Sequence, residues 1–168
     1  MSTRPVVFQL CVVVHDVRQA NAHWARVLDR PEADIQIIFP SGILHYTHGQ
    51  ATEYTDCQVA KYALDAFVLE LIQPGSAASP WRDFLDRHGQ GVFHVCVGVE
   101  DRKAFQQTLS GIGVGQPYHV GYYADGSYSY VDSLAQLGLE LSVNHQADYA
   151  PVMKGLLDGS LAPFDELQ

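Results

Sequence analysis

Two stretches of the chain repeat one pattern of apolar and polar positions. Residues 8–16 read Phe-Gln-Leu-Cys-Val-Val-Val-His-Asp and residues 93–101 read Phe-His-Val-Cys-Val-Gly-Val-Glu-Asp, with five identities at a constant offset of 85. Each is a β-branched, apolar run of strand length, and each ends in an Asp placed to cap a helix. Behind Asp16, the residues Ala20, Trp24, Val27 and Leu28 fall at helical spacing; behind Asp101, so do Ala104, Phe105, Thr108, Leu109 and Ile112. Arg30-Pro31 and Gly111 to Gly113 are the matching stop signals. A second echo follows, Leu-Glu-Leu at 69–71 and again at 139–141, offset by 70. Between helix and echo lie strand-like runs: Ile35 to Phe39, Ile43 to Thr47 and Cys57 to Leu64 in the first half, Gln116 to Tyr122 and Ser127 to Val131 in the second. The pattern predicts an α+β fold of two tandem βαβββ modules, about 6–74 and 92–145, within a single domain at 1–148. A linker helix at 79–89 joins them, with Ser79 as N-cap and Pro80 at its first position. The tail, 149–168, is less regular and holds a short helix over Pro151 to Leu157.

The repeat also aligns polar residues that interrupt these apolar strands. Gln9 is equivalent to His94, and Glu70 to Glu140. An isolated carboxylate inside such a strand costs several kcal/mol unless it is paired or coordinated. One Glu alone can sit on the solvated face of an antiparallel strand. Two in the same module position, beside a matched Gln and His, point to convergence. Four oxygen and nitrogen donors from four strands suit one divalent ion: Zn, Ni, Co, Mn or Mg.

Composition narrows the surroundings. With 168 residues, 47% of them apolar, the chain is long enough for one real core. A net charge of −9, with ten Lys and Arg that do not cluster, argues against nucleic acid and anionic membrane surfaces. No run approaches the roughly 20 apolar residues of a membrane span, and the first ten residues carry no leader pattern. The three cysteines, Cys11, Cys57 and Cys96, read as free thiols. A cytoplasmic protein is expected.

Other residues divide between bland and functional readings. His15, His23 and His88 read as surface residues. His45 and His48, near Tyr46 and Tyr54, read as a polar loop that is either plainly exposed or laid over a substrate. Tyr118, His119, Tyr122, Tyr123, Tyr128 and Tyr130 surround an Ala124-Asp125-Gly126 turn; they form either cross-strand aromatic pairs or a wall for an apolar or aromatic substrate. Cys11 and Cys96 lie two residues beyond Gln9 and His94, hence on the same side of their strands, and read as core packing.

On these features the chain resembles the vicinal oxygen chelate superfamily of glyoxalase I, methylmalonyl-CoA epimerase, extradiol dioxygenases and bleomycin-resistance proteins. The resemblance covers about residues 6–145. It is carried by Leu69-Glu70-Leu71-Ile72-Gln73-Pro74, Ser79-Pro80, the stretch Phe84 to Gly91, and His94-Val95-Cys96-Val97 with Val99-Glu100-Asp101, nearest to epimerase-like and glyoxalase-like proteins. It implies a curved mixed sheet around a central metal and substrate cleft, with the metal on Gln9, Glu70, His94 and Glu140. It implies a metal-dependent isomerase or lyase that moves a proton next to a carbonyl or thioester, with Glu140 as main base and Glu70 as ligand or second base. A small-molecule substrate and a homodimer go with it. The alternative is a non-catalytic binding or resistance protein of the same fold. Gln9 departs from the epimerase pattern, where His is usual, and the D-P-D-G turn of glyoxalases is replaced by Val131-Asp132-Ser133-Leu134.

Overall fold

A computed structural model describes residues 4–38, 42–54 and 56–167. The chain is α+β; the described residues form ten strands, in both parallel and antiparallel pairs, and five α-helices. It divides into two compact units. The first comprises Phe8–Phe39 and Glu53–His94; the second comprises Met1–Val7, Pro40–Thr52 and Val95–Gln168. No helix among the described residues is long and apolar enough to cross a membrane.

The first unit is built on β1 (Val6–Val13) from Phe8 onward, β2 (Gln36–Ile37), β5 (Gln58–Ala63) and β6 (Val68–Gln73), in the order β2-β5-β6-β1. The pair β1 and β6 is parallel and the others are antiparallel. The helix α1 (Val17–Leu28) starts where expected, because the Asp16 carboxylate accepts the amides of Arg18 and Gln19 at 2.9 and 3.0 Å. The Gln73 side-chain oxygen accepts the Val17 amide at 2.9 Å and ties the helix start to the end of β6. Val17, Ala20, Trp24, Ala25 and Leu28 then pack on Leu10, Val12, Ala60, Tyr62, Leu69 and Leu71. Leu69 and Leu71 are completely buried, each contributing about 1.5–3 kcal/mol. The linker helix α2 (Pro80–His88) has Ser79 as its cap and Pro80 in its first turn.

The second unit orders its strands β10-β9-β8-β3-β4, all antiparallel. These are β10 (Glu140–Gln146), β9 (Gly126–Val131), β8 (His119–Tyr123), β3 (Leu44–Thr47) and β4 (Gln50–Ala51). The strand β7 (Gly91–Val99) gives residues to both units. Helix α3 (Arg102–Gly111) is capped by Asp101, whose carboxylate accepts the Ala104 amide at 2.8 Å. Phe105 and Leu109 pack on Val97, Val131, Leu141 and Val143. Helix α5 (Ala150–Asp158), the expected tail helix, places Val152, Met153 and Leu156 on Val120 and Tyr122. Beyond it Glu166 accepts from Arg102 at 3.1 Å and from Tyr122 at 2.8 Å, and burial together with that carboxylate pushes the Tyr122 phenol upward.

Several elements differ from the sequence expectation. The run 43–47 belongs with the first repeat in sequence, yet β3 pairs with β8. Leu44 and Tyr46 join the apolar cluster beneath α5, which rewards that pairing. The strand expected from Gln116 begins only at His119. The second echo strand begins at Glu140, because a short helix α4 (Leu134–Leu137) precedes it and stops at Gly138, with φ of 79°. Of the run Ile35 to Phe39, only Gln36–Ile37 is strand, and Phe39 lies outside the described residues.

Candidate functional site

In each unit the helices cover one face of the strands, so the chemistry collects on the other. In the first unit, Leu10, Val12, Leu69 and Leu71 turn toward α1. Alternation then puts Gln9, Cys11 and Val13 of β1, and Val68, Glu70 and Ile72 of β6, on the opposite face. The parallel register sets Cys11 directly across from Glu70, and the antiparallel register sets Lys61 across from it on the other side.

That register brings a buried donor cluster together. One ligand atom each from Cys11, Glu70 and His94 lies within 4.8 Å of the others. Cys11 is 0% exposed, Glu70 7% and His94 2%. Burial pushes the His94 imidazole down to about 3, so it is neutral and able to ligate. Its ring stands against Phe93 at a centroid distance of 4.8 Å. Glu70 Oε2 pairs with Lys61 Nζ at 3.0 Å, and the Lys61 side chain is half exposed. A thiol, an imidazole and a carboxylate form a donor set suited to Zn or Co. The residues present therefore fit a transition-metal ion.

Of the four ligands expected from sequence, Glu70 and His94 meet here. Gln9 is on the same face of β1, two residues from Cys11 and half-buried. Glu140 belongs to the second unit, where its carboxylate accepts a hydrogen bond from the Tyr118 hydroxyl. Cys11 was readable as a neighbour of Gln9 by strand alternation, but not as a donor; its juxtaposition with Glu70 depends on the β1–β6 register. Tyr118 carried no sequence signal linking it to Glu140.

The second unit's strands follow the same rule. Leu141, Val143, Val131, Val120, Leu44 and Tyr46 face the helices. The opposite face carries Glu140, Tyr130, Tyr128, His119, Thr47 and His45, connected by the registers Ser142↔Tyr130, His119↔Tyr130 and Thr47↔His119. Thr47 Oγ1 and His119 Nδ1 are 2.9 Å apart. His45 is therefore a buried strand residue, 6% exposed, rather than part of a loop, and burial pushes it down to about 4. His48 does lie in the exposed turn after β3, and His15, His23 and His88 are exposed as expected.

A family model for the glyoxalase/bleomycin resistance protein/dioxygenase superfamily matches residues 8–131. The chain belongs to that superfamily. No curated protein matches it in sequence. Among solved structures, it is similar to a hypothetical protein, BH1468, from Bacillus halodurans C-125, at 15% identity and a TM-score of 0.58, covering 88% of this chain and 99% of that one. It is also similar to methylmalonyl-CoA epimerase from Mycobacterium tuberculosis, at 18% identity and a TM-score of 0.57, covering 88% and 91%. A Streptomyces coelicolor methylmalonyl-CoA epimerase in complex with 2-nitronate-propionyl-CoA gives 16% identity and a TM-score of 0.55, covering 88% and 96%. At these identities the likeness is one of fold, and it agrees with the superfamily and the epimerase-like neighbourhood expected from sequence.

Proposed function

We propose that this superfamily member is a metal-dependent isomerase or lyase that moves a proton on the carbon beside a carbonyl or thioester, through an enolate-type form of the substrate. The observation that carries the reading is the buried meeting of Cys11, Glu70 and His94. Glu70 and His94 would hold the ion, with Cys11 as third donor and Gln9, on the same face of β1, as a fourth. A divalent ion, when bound, supplies a Lewis acid for a carbonyl oxygen. Glu140 is the base. Its carboxylate is oriented by the Tyr118 hydroxyl, and its remaining lone pairs can accept a proton. Glu70 is the poorer base, because Lys61 already engages one of its oxygens.

Superfamily membership and the likeness to epimerases support this reading. The test is metal analysis of the purified protein before and after chelation, followed by cobalt substitution. Near-stoichiometric metal is expected, together with a thiolate-to-cobalt absorption band that Cys11→Ser removes. A protein that takes up no divalent metal at saturating supply would defeat the reading and leave a non-catalytic binding protein in its place.

A further inference from the structure

One charged residue of the first unit reaches the donor cluster without belonging to it. The strand β5 reads QVAKYA and β6 reads VLELIQ, so each carries a single charged side chain, Lys61 and Glu70. The antiparallel register sets those two directly across from each other, and residues paired in this way share a face of the sheet. Their neighbours settle which face. Ala60 and Tyr62 pack with Leu69 and Leu71 under α1, so Lys61 and Glu70 turn to the other side by alternation. Cys11 stands across from Glu70 on β1. The carboxylate therefore lies between a thiol on one neighbouring strand and an ammonium on the other.

The burial of this pair sets it apart from an ordinary surface ion pair. Lys61 Nζ lies 3.0 Å from Glu70 Oε2, yet the two side chains are 51% and 9% exposed. A Lys–Glu pair with both ends in water stabilises a protein little. Here a half-exposed lysine brings its ammonium to a buried oxygen. Packing alone does not ask for it, since Val59, the preceding residue of β5 on that face, is apolar and 3% exposed. The ammonium offsets the cost of burying the carboxylate. It also selects among the lone pairs that an ionised carboxylate offers on its two oxygens: one on Oε2 is engaged, and those of Oε1 are left to ligate. Partners of this kind govern metal affinity without touching the metal, because they fix the orientation of the ligand that does.

We propose that Lys61 is a positioning residue of the ion site: it holds Glu70 Oε2 so that the rest of the carboxylate is presented to an ion shared with Cys11 and His94. The proposal rests on the metal reading above and adds to it a residue that acts through Glu70. Loss of Lys61 leaves every donor in place but lets the carboxylate turn, so an ion binds more weakly and in a different ligand field.

The test uses cobalt and zinc as probes of the full chain. Cobalt dissociation constants are measured by competition with a chromophoric chelator for the unmutated protein, Lys61→Met and Lys61→Arg. Lys61→Met is expected to bind cobalt about 10–100-fold more weakly, and Lys61→Arg, which keeps a charged donor, to recover most of that loss. In Lys61→Met the ligand-field bands of cobalt should shift while the thiolate-to-cobalt band from Cys11 persists, a pattern that general loss of structure does not produce. A second measurement needs no variant to fold. The chain has three lysines, Lys61, Lys103 and Lys154, so isotope-labelled lysine gives three side-chain signals in nuclear magnetic resonance. Zinc should move the Lys61 signal and leave the other two in place. Cobalt binding by Lys61→Met at the unmutated strength or tighter, no recovery in Lys61→Arg, or a Lys61 signal indifferent to saturating zinc overturns the proposal and leaves the metal reading standing. An unmutated protein that takes up neither ion overturns both.

Discussion

The two units put opposite chemistry on the same architectural face. In both, capped helices bury Leu and Val on one side of the strands, and alternation sends every second residue to the other. The first unit fills that second side with donors, Cys11, Glu70 and His94, and Lys61 pairs with Glu70 there. The second fills it with rings and a single carboxylate. The same alternation can thus present donor side chains in one unit and mostly aromatic ones in the other, because face assignment depends on period-two patterning and leaves residue type open. The comparison also shows where the copies diverge. The β3–β4 hairpin, which the chain order gives to the first repeat, adds His45 and Thr47 to the second unit's face.

The largest expected effect separates Glu140 from Glu70. Glu140→Gln should lower proton-transfer turnover about 10²–10⁴-fold, with metal content unchanged. Glu70→Gln should lower metal content as well as turnover. Equal metal loss in both would erase the distinction between the two carboxylates. Next comes Leu71→Ala, completely buried under α1, expected to cost about 2–5 kcal/mol in chemical denaturation. A cost below about 1 kcal/mol would mean that the α1 face is not a close-packed core.

Acid should act on both units. His45 is held down to about 4 and His94 to about 3, so each is neutral when folded but protonates near its ordinary value of 6.5 when unfolded. Both folded values are depressed, and the unfolded chain binds more protons in that window. Their stabilisation is therefore complete above about pH 6.5 and is lost as pH falls toward 4 and 3. In metal-free protein, His45→Gln should flatten the fall of denaturation free energy between pH 6.5 and about 4 by roughly 1–3 kcal/mol. An unchanged slope would place His45 in contact with water. The smallest effect is a matched pair. Asp16→Ala and Asp101→Ala should each cost about 0.5–2 kcal/mol, with Asp16 costing more because it caps two amides and Asp101 one. The reverse order would show that the repeat's helices are anchored mainly by packing.

How much of this was readable in the chain follows from the range of each interaction. Helix starts at Asp16, Ser79 and Asp101 were legible, since a cap bonds only to amides two or three residues away. The strands carrying Glu70, His94 and Glu140 were legible from apolar runs repeated at fixed offsets. Where the reading slipped, longer contacts decided. Gly138 closes a short helix that delays β10 to Glu140, and His45 changed from loop to buried strand because β8 pairs with it.

The sequence by itself determined the doubled βαβββ order, the capped helices, the faces on which Gln9, Glu70, His94 and Glu140 fall, and the superfamily. Only the tertiary structure decided which side chains meet. The β1–β6 register set Cys11 across from Glu70, and folding brought Tyr118 to Glu140, 22 residues away. Periodicity fixes the direction of a side chain relative to its own strand. Strand pairing, which balances many weak contacts at once, fixes what that side chain finds there.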